Sequence, residues 1–276
     1  PAIMKATTGN AAKPQWVGIG HRAPLREWIA TRPSEIECLE ITAEHFFEES
    51  LDYLRDLRRV YPLFVHGLGL SLGAPGPIDQ KTLNEFRRVV EAADPEWISE
   101  HVAFTRTSEV DLGHLNPIQP SAKTLDVVAA HAREVSQFCA KPIILENITT
   151  HLRLKGELSE TDFLNRLCEK ADCGLLLDVT NLFINARNHH FDARTWLRDL
   201  DPKCIVQLHV VGYMERDGRL VDNHSADIQE DLWELIHAVL DHAKVRAIIV
   251  ERDGNFPATE NLASELQLLS NALRQH

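Results

Sequence analysis

The stretch GLLLDVT, residues 174–180, indicates the fold because its apolar run ends on a carboxylate, Asp178. Similar apolar runs recur along the chain, each followed by a polar or glycine-containing loop and then an amphipathic stretch. Most of them are apolar on both faces, which is typical of parallel strands covered by helices. The eight runs are WVGIGH (16–21), IECLEIT (36–42), LFVHGL (63–68), WISEHVAF (97–104), PIILENI (142–148), GLLLDVT (174–180), IVQLHVVG (205–212) and AIIVERD (247–253).

Helical periodicity between the runs completes an alternating β/α pattern. Ser121 and Ser159 are suitable N-caps for two of the helices. The predicted helices span 81–93, 121–139, 159–170, 231–243 and 261–273. Eight strands alternating with helices over about 250 residues predict an α/β fold, a single (β/α)8 TIM barrel. A doubly wound sheet is the main alternative, but GIG at 18–20 is not the GxGxxG fingerprint that such nucleotide-binding sheets often carry.

Composition limits the class of protein. The chain has 276 residues, is 44% hydrophobic and has no apolar segment near the ~20 residues that a membrane span needs. Residues 1–15 lack an apolar signal segment and are expected to form a flexible N-terminal tail, with 16–276 forming the barrel domain. The net charge of −12 disfavours a nucleic-acid partner. Five cysteines without a CxxC pair favour reduced thiols, so we expect a cytoplasmic protein without a membrane partner.

Polar side chains stand at the ends of most of the predicted strands. Because side chains alternate between faces with period two, pairs such as Leu176 and Asp178 share one face of their strand. If that face points inward, the polar groups meet at the carboxyl-terminal mouth of the barrel, where barrel enzymes place their chemistry. The loop VDNHSAD (221–227) adds Asp222 and His224. The strand-end candidates are His66, His101, Glu146, Asp178, His209 and Glu251.

Converging imidazoles and carboxylates predict a metal site. Carboxylates brought together without a cation repel each other, and this donor set suits Fe, Mn or Zn. Eight candidates exceed what one metal uses, so two or three metals are the natural number. Each residue alone also has a structural explanation: Asp178 could cap the next turn, Glu251 could pair with Arg252, and Asn181 could be a turn residue. His189 and His190 are expected to be solvated or substrate-facing, and the roles of His21 and His45 stay open.

Seven short motifs, in this order, carry a resemblance to a known family. They are FVHG, SEHVAFT, LENIT, LLDVTNLF, QLHVVGY, DNHSAD and VERDGNFP. Together they resemble the multinuclear non-haem iron-dependent oxidative enzymes, which include the oxazolone-forming subunit of methanobactin biosynthesis and the peptide-cysteine enzyme of 3-thiaglutamate biosynthesis. The resemblance covers residues 16 to 257. It implies a TIM barrel with the metal ligands His66, His101, Glu146, Asp178, Asn181, His209, Asp222, His224 and Glu251, of which Asp178 and His224 are also assigned a catalytic role.

The resemblance also implies the chemistry. Two or three iron ions, mixed Fe(II) and Fe(III), would use O2 as co-substrate to oxidise a cysteine of a ribosomally made precursor peptide. Excision of the cysteine β-carbon, as in 3-thiaglutamate biosynthesis, is the preferred subtype. A small companion protein that binds the peptide leader would complete a heterodimer. The sequence does not indicate which residues bind substrate.

Two other functions agree with the same donor pattern. The first is a zinc or manganese TIM-barrel hydrolase or isomerase, similar to endonuclease IV or to xylose isomerase. The second is a non-catalytic, metal-dependent scaffold for a partner. The identity of the bound metal separates the iron oxidase from the hydrolase.

Overall fold

The computed structural model describes residues 14–107 and 110–276, so most of the predicted tail 1–15 lies outside the described residues. The strands, in chain order, are β1 (Trp16–Gly20), β2 (Cys38–Thr42), β3 (Leu63–His66), β4 (Ile98–His101), β5 (Ala103–Arg106), β6 (Asp111–Pro117), β7 (Ile143–Glu146), β8 (Gly174–Asp178), β9 (Ile205–Val210), β10 (Gly212–Arg216), β11 (Arg219–Ala226) and β12 (Ala247–Val250). Eight of them close into a parallel barrel in the order β1-β12-β9-β8-β7-β4-β3-β2. The predicted TIM barrel is therefore confirmed, and each predicted run supplies one barrel strand.

Nine α-helices lie within the described residues. They are α1 (Arg26–Ala30), α2 (Asp52–Leu57), α3 (Gln80–Ala93), α4 (Ala122–Cys139), α5 (Glu160–Ala171), α6 (Val179–His189), α7 (Ala193–Arg198), α8 (Glu230–His242) and α9 (Thr259–Gln275). The five predicted helices correspond to α3, α4, α5, α8 and α9. The predicted N-caps are confirmed, because Ser121 Oγ accepts from Thr124 N at 3.2 Å and Ser159 Oγ accepts from Asp162 N at 3.1 Å. None of the helices in the described part of the chain is long and apolar enough to cross a membrane.

Two antiparallel hairpins extend the loops at the carboxyl ends of barrel strands. β5 pairs with β6 after β4, and β10 pairs with β11 after β9. The sequence analysis did not predict these hairpins. Because they follow the carboxyl ends of β4 and β9, they stand beside the mouth where the polar strand ends lie.

The interior of the barrel is divided into an apolar layer and a polar layer. Phe64 and Trp97 stack with their ring centroids 4.3 Å apart, and Ile144, Leu176 and Ile249 belong to the same buried cluster. Two residues further along most of these strands, side chains on the same inward face are polar, as in the pairs Phe64/His66, Ile144/Glu146 and Leu176/Asp178. This apolar layer, called the floor below, lies directly beneath the polar side chains of the mouth.

The floor predicts a stability effect that is separate from metal binding. Leu176 is fully buried below Asp178, so Leu176→Ala should lower the free energy of unfolding of the metal-free protein by about 2–5 kcal/mol, through lost burial and a residual cavity. Leu268→Ala on the exposed face of α9 is the matched control and should cost less than about 0.5 kcal/mol. Urea unfolding measures both, and equal effects of the two substitutions would contradict the layered interior.

Candidate metal centre

Seven of the predicted ligand residues meet at the carboxyl-terminal mouth of the barrel. Their nitrogen and oxygen atoms form three overlapping groups within which every potential ligand atom lies within 4.8 Å of the others. Glu146 belongs to the first and second groups, and Glu251 belongs to the second and third. The groups are His66/His101/Glu146, then Glu146/Asp178/His209/Glu251, then His224/Glu251/Asp253.

The first group consists of two imidazoles aimed at one carboxylate oxygen. His66 Nε2 lies 3.3 Å and His101 Nε2 3.2 Å from Glu146 Oε2. The other ring nitrogens are held from behind, since His66 Nδ1 lies 2.8 Å from Ser99 Oγ and His101 Nδ1 lies 3.1 Å from Glu100 Oε1. Such contacts fix the ring orientation and leave both Nε2 atoms free to ligate.

The second group is centred on His209 Nδ1. This atom lies 3.1 Å from Glu146 Oε1 and 3.1 Å from Glu251 Oε2. Asp178, only 1% exposed, completes the group. Its Oδ1 also accepts from Asn181 N at 2.8 Å, so Asp178 is the N-cap of α6 as well. The capping explanation and the metal-ligand explanation for Asp178 are therefore compatible.

The third group lies nearer the solvent and is formed by loops. His224 Nδ1 lies 3.4 Å from both Glu251 Oε2 and Asp253 Oδ2. On the other side of the ring, Nε2 lies 2.9 Å from Asp222 Oδ1. His224 has a left-handed backbone, with φ of 49°, near the end of β11 where the chain turns its side chain into the mouth. Arg22 pairs with Glu251 at 3.3 Å and with Asp253 at 2.6 Å.

Burial and mutual repulsion set the protonation of these groups. Burial, together with Glu146 and Asp222, raises the pKa of Asp178 well above its usual range. Burial alone would lower the pKa of His101 and of His224, but nearby carboxylates raise these values to about 9 and about 10. Burial, His101 and His209 instead hold the pKa of His66 well below its ordinary value. Without a metal, protons on His101, His224 and Asp178 therefore reduce the repulsion between the carboxylates of the pocket.

Several buried ligand-type atoms make no hydrogen bond among the described residues. They are His66 Nε2, Glu146 Oε2, Asp222 Oδ1 and His224 Nδ1. Buried polar atoms are rarely left without a partner, and these four lie within or beside the three groups. A bound cation would satisfy them, and a mixture of imidazole and carboxylate donors fits Fe, Mn or Zn. The residues present therefore fit a polynuclear metal centre.

The sequence analysis did not predict three residues that lie in or next to this centre. Glu40, 2% exposed on β2, accepts from the side chain of Gln207, and its Oε1 lies 2.6 Å from His209 Nε2, on the side of the ring away from the centre. Asp253 and Arg22 reach the mouth from loops. The sequence could have indicated Glu40, because it lies two residues after Cys38 and therefore on the same inward face of β2.

Two predicted ligands stand apart from the three groups. Asn181 donates through Nδ2 to Asn147 O at 3.2 Å and accepts through Oδ1 from Thr149 Oγ1. Asp222 faces Nε2 of His224, whereas the third group uses Nδ1. His21 points elsewhere, with Nε2 3.0 Å from the Tyr53 hydroxyl, and burial with Arg26 and Arg22 lowers its pKa to about 4. Ligation by Asn181 and Asp222 stays a prediction.

The fold and the site together define a TIM-barrel protein whose mouth carries clustered metal-ligand side chains. Residues 16–274 match the sequence profile of the RiPP precursor modification enzymes MbnB/TglH/ChrH. The chain belongs to this family, as the motifs in the sequence indicated. The match covers every barrel strand and the ligand groups at its mouth.

Relatives of similar length support the same assignment. A UPF0276 protein of Chromobacterium violaceum is 35% identical over 252 residues, covering 90% of this chain and 91% of the relative. A UPF0276 protein of Bordetella pertussis is 34% identical over 261 residues, covering 91% and 90%. Among solved structures, endonuclease IV from Thermus thermophilus has a TM-score of 0.61 at 16% identity, covering 95% of this chain and 100% of that one. D-psicose 3-epimerase from Clostridium cellulolyticum, with D-tagatose, has a TM-score of 0.61 at 14% identity, covering 95% and 99%. These two structures share the fold alone.

Glu146 should be the most sensitive residue for metal content because two groups share its carboxylate. Glu146→Gln replaces one acceptor oxygen with a donor, so anaerobically reconstituted protein should retain fewer metals by about one equivalent or more per chain. Elemental analysis measures the content, and circular dichroism verifies the fold. Glu44→Gln is the control, because Glu44 binds the Leu68 and Gly69 N–H groups outside the centre. Equal metal content in wild type and both variants would contradict the shared-ligand role.

Metal binding should release protons at neutral pH. In the metal-free protein His101 and His224, with pKa values of about 9 and about 10, carry protons at pH 7. A metal ligand must be deprotonated, so affinity should rise as pH increases toward 9–10 and fall as pH decreases. Calorimetric titration with Zn²⁺ in buffers of different ionisation enthalpy counts the protons. We expect about one or more per chain at pH 7; a count of zero would show that neither imidazole becomes a ligand.

Proposed function

We propose that this protein is an O2-dependent multinuclear iron enzyme that oxidises a cysteine of a ribosomally made precursor peptide. The observation that carries the proposal is the donor set at the mouth, three adjacent groups joined by Glu146 and Glu251, in a chain of the MbnB/TglH/ChrH family. Shared carboxylates suit metals that lie side by side. Imidazole and carboxylate ligands with exchangeable positions suit non-haem iron.

The three groups would hold two or three irons. His66, His101 and Glu146 would hold one, and Glu146, Asp178, His209 and Glu251 a second. The loop residues around His224, including Asp222, would hold a third, and Asn181 would ligate only by giving up its hydrogen bond to Asn147 or Thr149. Iron of mixed Fe(II) and Fe(III) character supplies thiolate affinity and reducing electrons to a reaction in which O2 is the oxidant.

The protein side chains would orient the ligands and balance their charge. Glu40 holds His209 through Nε2, so that Nδ1 faces the second group. Arg22 offsets negative charge at Glu251 and Asp253, where the centre is closest to solvent. Asp178 and His224 are the proposed catalytic residues; Asp178 is buried in the second group, and His224 belongs to the more exposed third group. Burial of the deeper ligands excludes water from the oxidising centre.

The family assignment supports a proposal for the substrate and for the partner. We propose a cysteine-containing precursor peptide as substrate and a small leader-binding companion protein as partner in a heterodimer. Excision of the cysteine β-carbon is the proposed outcome of the oxidation. A cytoplasmic location is supported by the five unpaired cysteines, which fit a reducing compartment.

Reconstitution tests the reaction directly. Protein loaded anaerobically with Fe(II) and mixed with the companion protein and precursor peptide should change the mass of the peptide only after O2 is added. A Cys→Ser peptide should stay unchanged. Asp178→Asn should lower the rate roughly 100-fold or more, because it alters a buried ligand, and even changes to partners of ligands cost about 10–100-fold.

Metal substitution separates the alternatives. Zinc-loaded protein should leave the peptide unchanged, since zinc has no redox chemistry. An unchanged peptide mass with iron, O2 and a verified partner and substrate would contradict the proposal. Hydrolysis of abasic DNA or epimerisation of a sugar by the zinc or manganese form would instead assign the chain to the hydrolase or isomerase function.

A further inference from the structure

A cavity of about 480 Å³ opens beside the candidate metal centre, and none of the candidate metal-ligand residues lines it. Two of its lining residues, Val102 and Asn147, directly follow the ligands His101 and Glu146 in the chain. Its deeper wall is apolar and includes Ile148, Phe163 and Phe191. A volume in this range accommodates a small ligand or a few side chains of a peptide.

The outer rim of the cavity is formed by the segment HLRLK, residues 151–155. Leu152 is 69% and Leu154 40% exposed, and both line the cavity. Within the described residues, the backbone groups of Leu152, Arg153 and Leu154 take part in no hydrogen bond. A stretch with free donors and acceptors beside an apolar cavity is suited to pair with an added extended peptide.

The same rim concentrates positive charge on an acidic chain. The net charge of the protein is −12, yet Arg153 and Lys155 stand on the rim, and neither forms an ion pair among the described side chains. The Arg153 guanidinium lies 4.7 Å from the centroid of the Phe191 ring at the cavity wall. The carboxylate in the wall, Glu160, is half-buried, accepts from Trp196 Nε1 at 3.0 Å and interacts electrostatically with Arg153, so the exposed charges of the lining are those of Arg153 and Lys155.

We propose that this cavity and its rim bind the part of the substrate peptide next to the modified cysteine, and that this part is extended, apolar and acidic. The proposal rests on the proposed function, because it takes the cysteine to lie at the metal centre. An apolar peptide side chain fills the cavity, the peptide backbone pairs with residues 152–154, and an acidic side chain meets Arg153 and Lys155.

The position of the cavity sets which peptide residues it selects. An extended chain advances about 3.4 Å per residue, so a cavity that begins at the residues following two metal ligands is reached a few residues from the cysteine. Binding there also restricts the cysteine to a short range of positions at the centre. The cavity would thus choose which cysteine is modified when a peptide contains more than one.

Fluorescence anisotropy with two labelled synthetic peptides tests the proposal on the metal-loaded protein. One peptide carries Leu and Asp beside its Cys, and the other carries Ser and Lys at the same positions. We expect the Leu/Asp peptide to bind at least about 10-fold more tightly, and the double variant Arg153→Glu/Lys155→Glu to remove this preference. The matched control is Lys203→Glu/Lys244→Glu, which changes the net charge equally at exposed residues that precede β9 and β12, on the opposite side of the barrel.

The apolar part has its own variant. Leu152→Ala/Leu154→Ala should weaken binding of the Leu/Asp peptide at least about 10-fold. The metal content should not change, because both side chains are exposed and lie outside the three groups. Equal binding of the two peptides, binding of neither, or unchanged binding in both rim variants would overturn the proposal. If the Leu/Asp peptide binds through the rim but iron and O2 leave its mass unchanged, the peptide site stands and the proposed oxidation fails. If oxidation occurs but the rim variants keep wild-type KM, the function stands and the peptide site fails.

Discussion

Repulsion between buried carboxylates is the constraint on which this barrel depends. Glu146, Asp178 and Glu251 are each no more than 6% exposed and converge on one pocket, and buried Glu40 lies behind His209. Two such charges about 4 Å apart repel by about 4 kcal/mol at an effective dielectric constant of 20. Histidine protons and Arg22 offset part of this repulsion, and Asp178 responds with a raised pKa. Metal cations would reduce this repulsion and satisfy the buried nitrogen and oxygen atoms that have no hydrogen-bond partner, so the donor set fits a metal centre.

The apolar floor explains how such a pocket is tolerated in a stable fold. Phe64, Trp97 and Leu176 fill the lower barrel and exclude water, while the polar layer begins two residues further along the same strands. Trp97 Nε1 donates to Gln207 Oε1 at 2.7 Å, and Gln207 in turn donates to Glu40. This chain of contacts connects the floor to His209 and holds its ring in place. The candidate site is therefore carried mainly by strands rather than by loops, which favours well-ordered side chains.

Alternation along strands made most of this arrangement predictable from the sequence. His66, Asp178 and Glu251 follow apolar partners two residues earlier, so one assumption about the inward face placed them together. Helix α6 was missed because its first residues, VTNLFI, look like the continuation of a strand, and only the cap formed by Asp178 shows where the strand ends. Asp253 and Arg22 come from loops, whose course depends on tertiary contacts that no periodicity encodes. The two hairpins were missed for a related reason, since β5 and β10 continue directly from barrel strands after a single residue.

The barrel fold of this protein does not by itself indicate which reaction it catalyses. Solved barrels at 14–16% identity share its architecture, including an endonuclease and a sugar epimerase, so the barrel itself does not determine the reaction. The candidate metal-binding residues and the neighbouring cavity both lie on the mouth side of the strands. Asn147 joins the two parts of that region: its side chain donates to Asp178 O at 3.0 Å and accepts from Asp178 N at 2.9 Å, while the residue also lines the neighbouring cavity. A peptide in the cavity would therefore contact Asn147, the residue that positions Asp178. Peptide binding and the geometry of Asp178 would then be coupled through a single amide side chain.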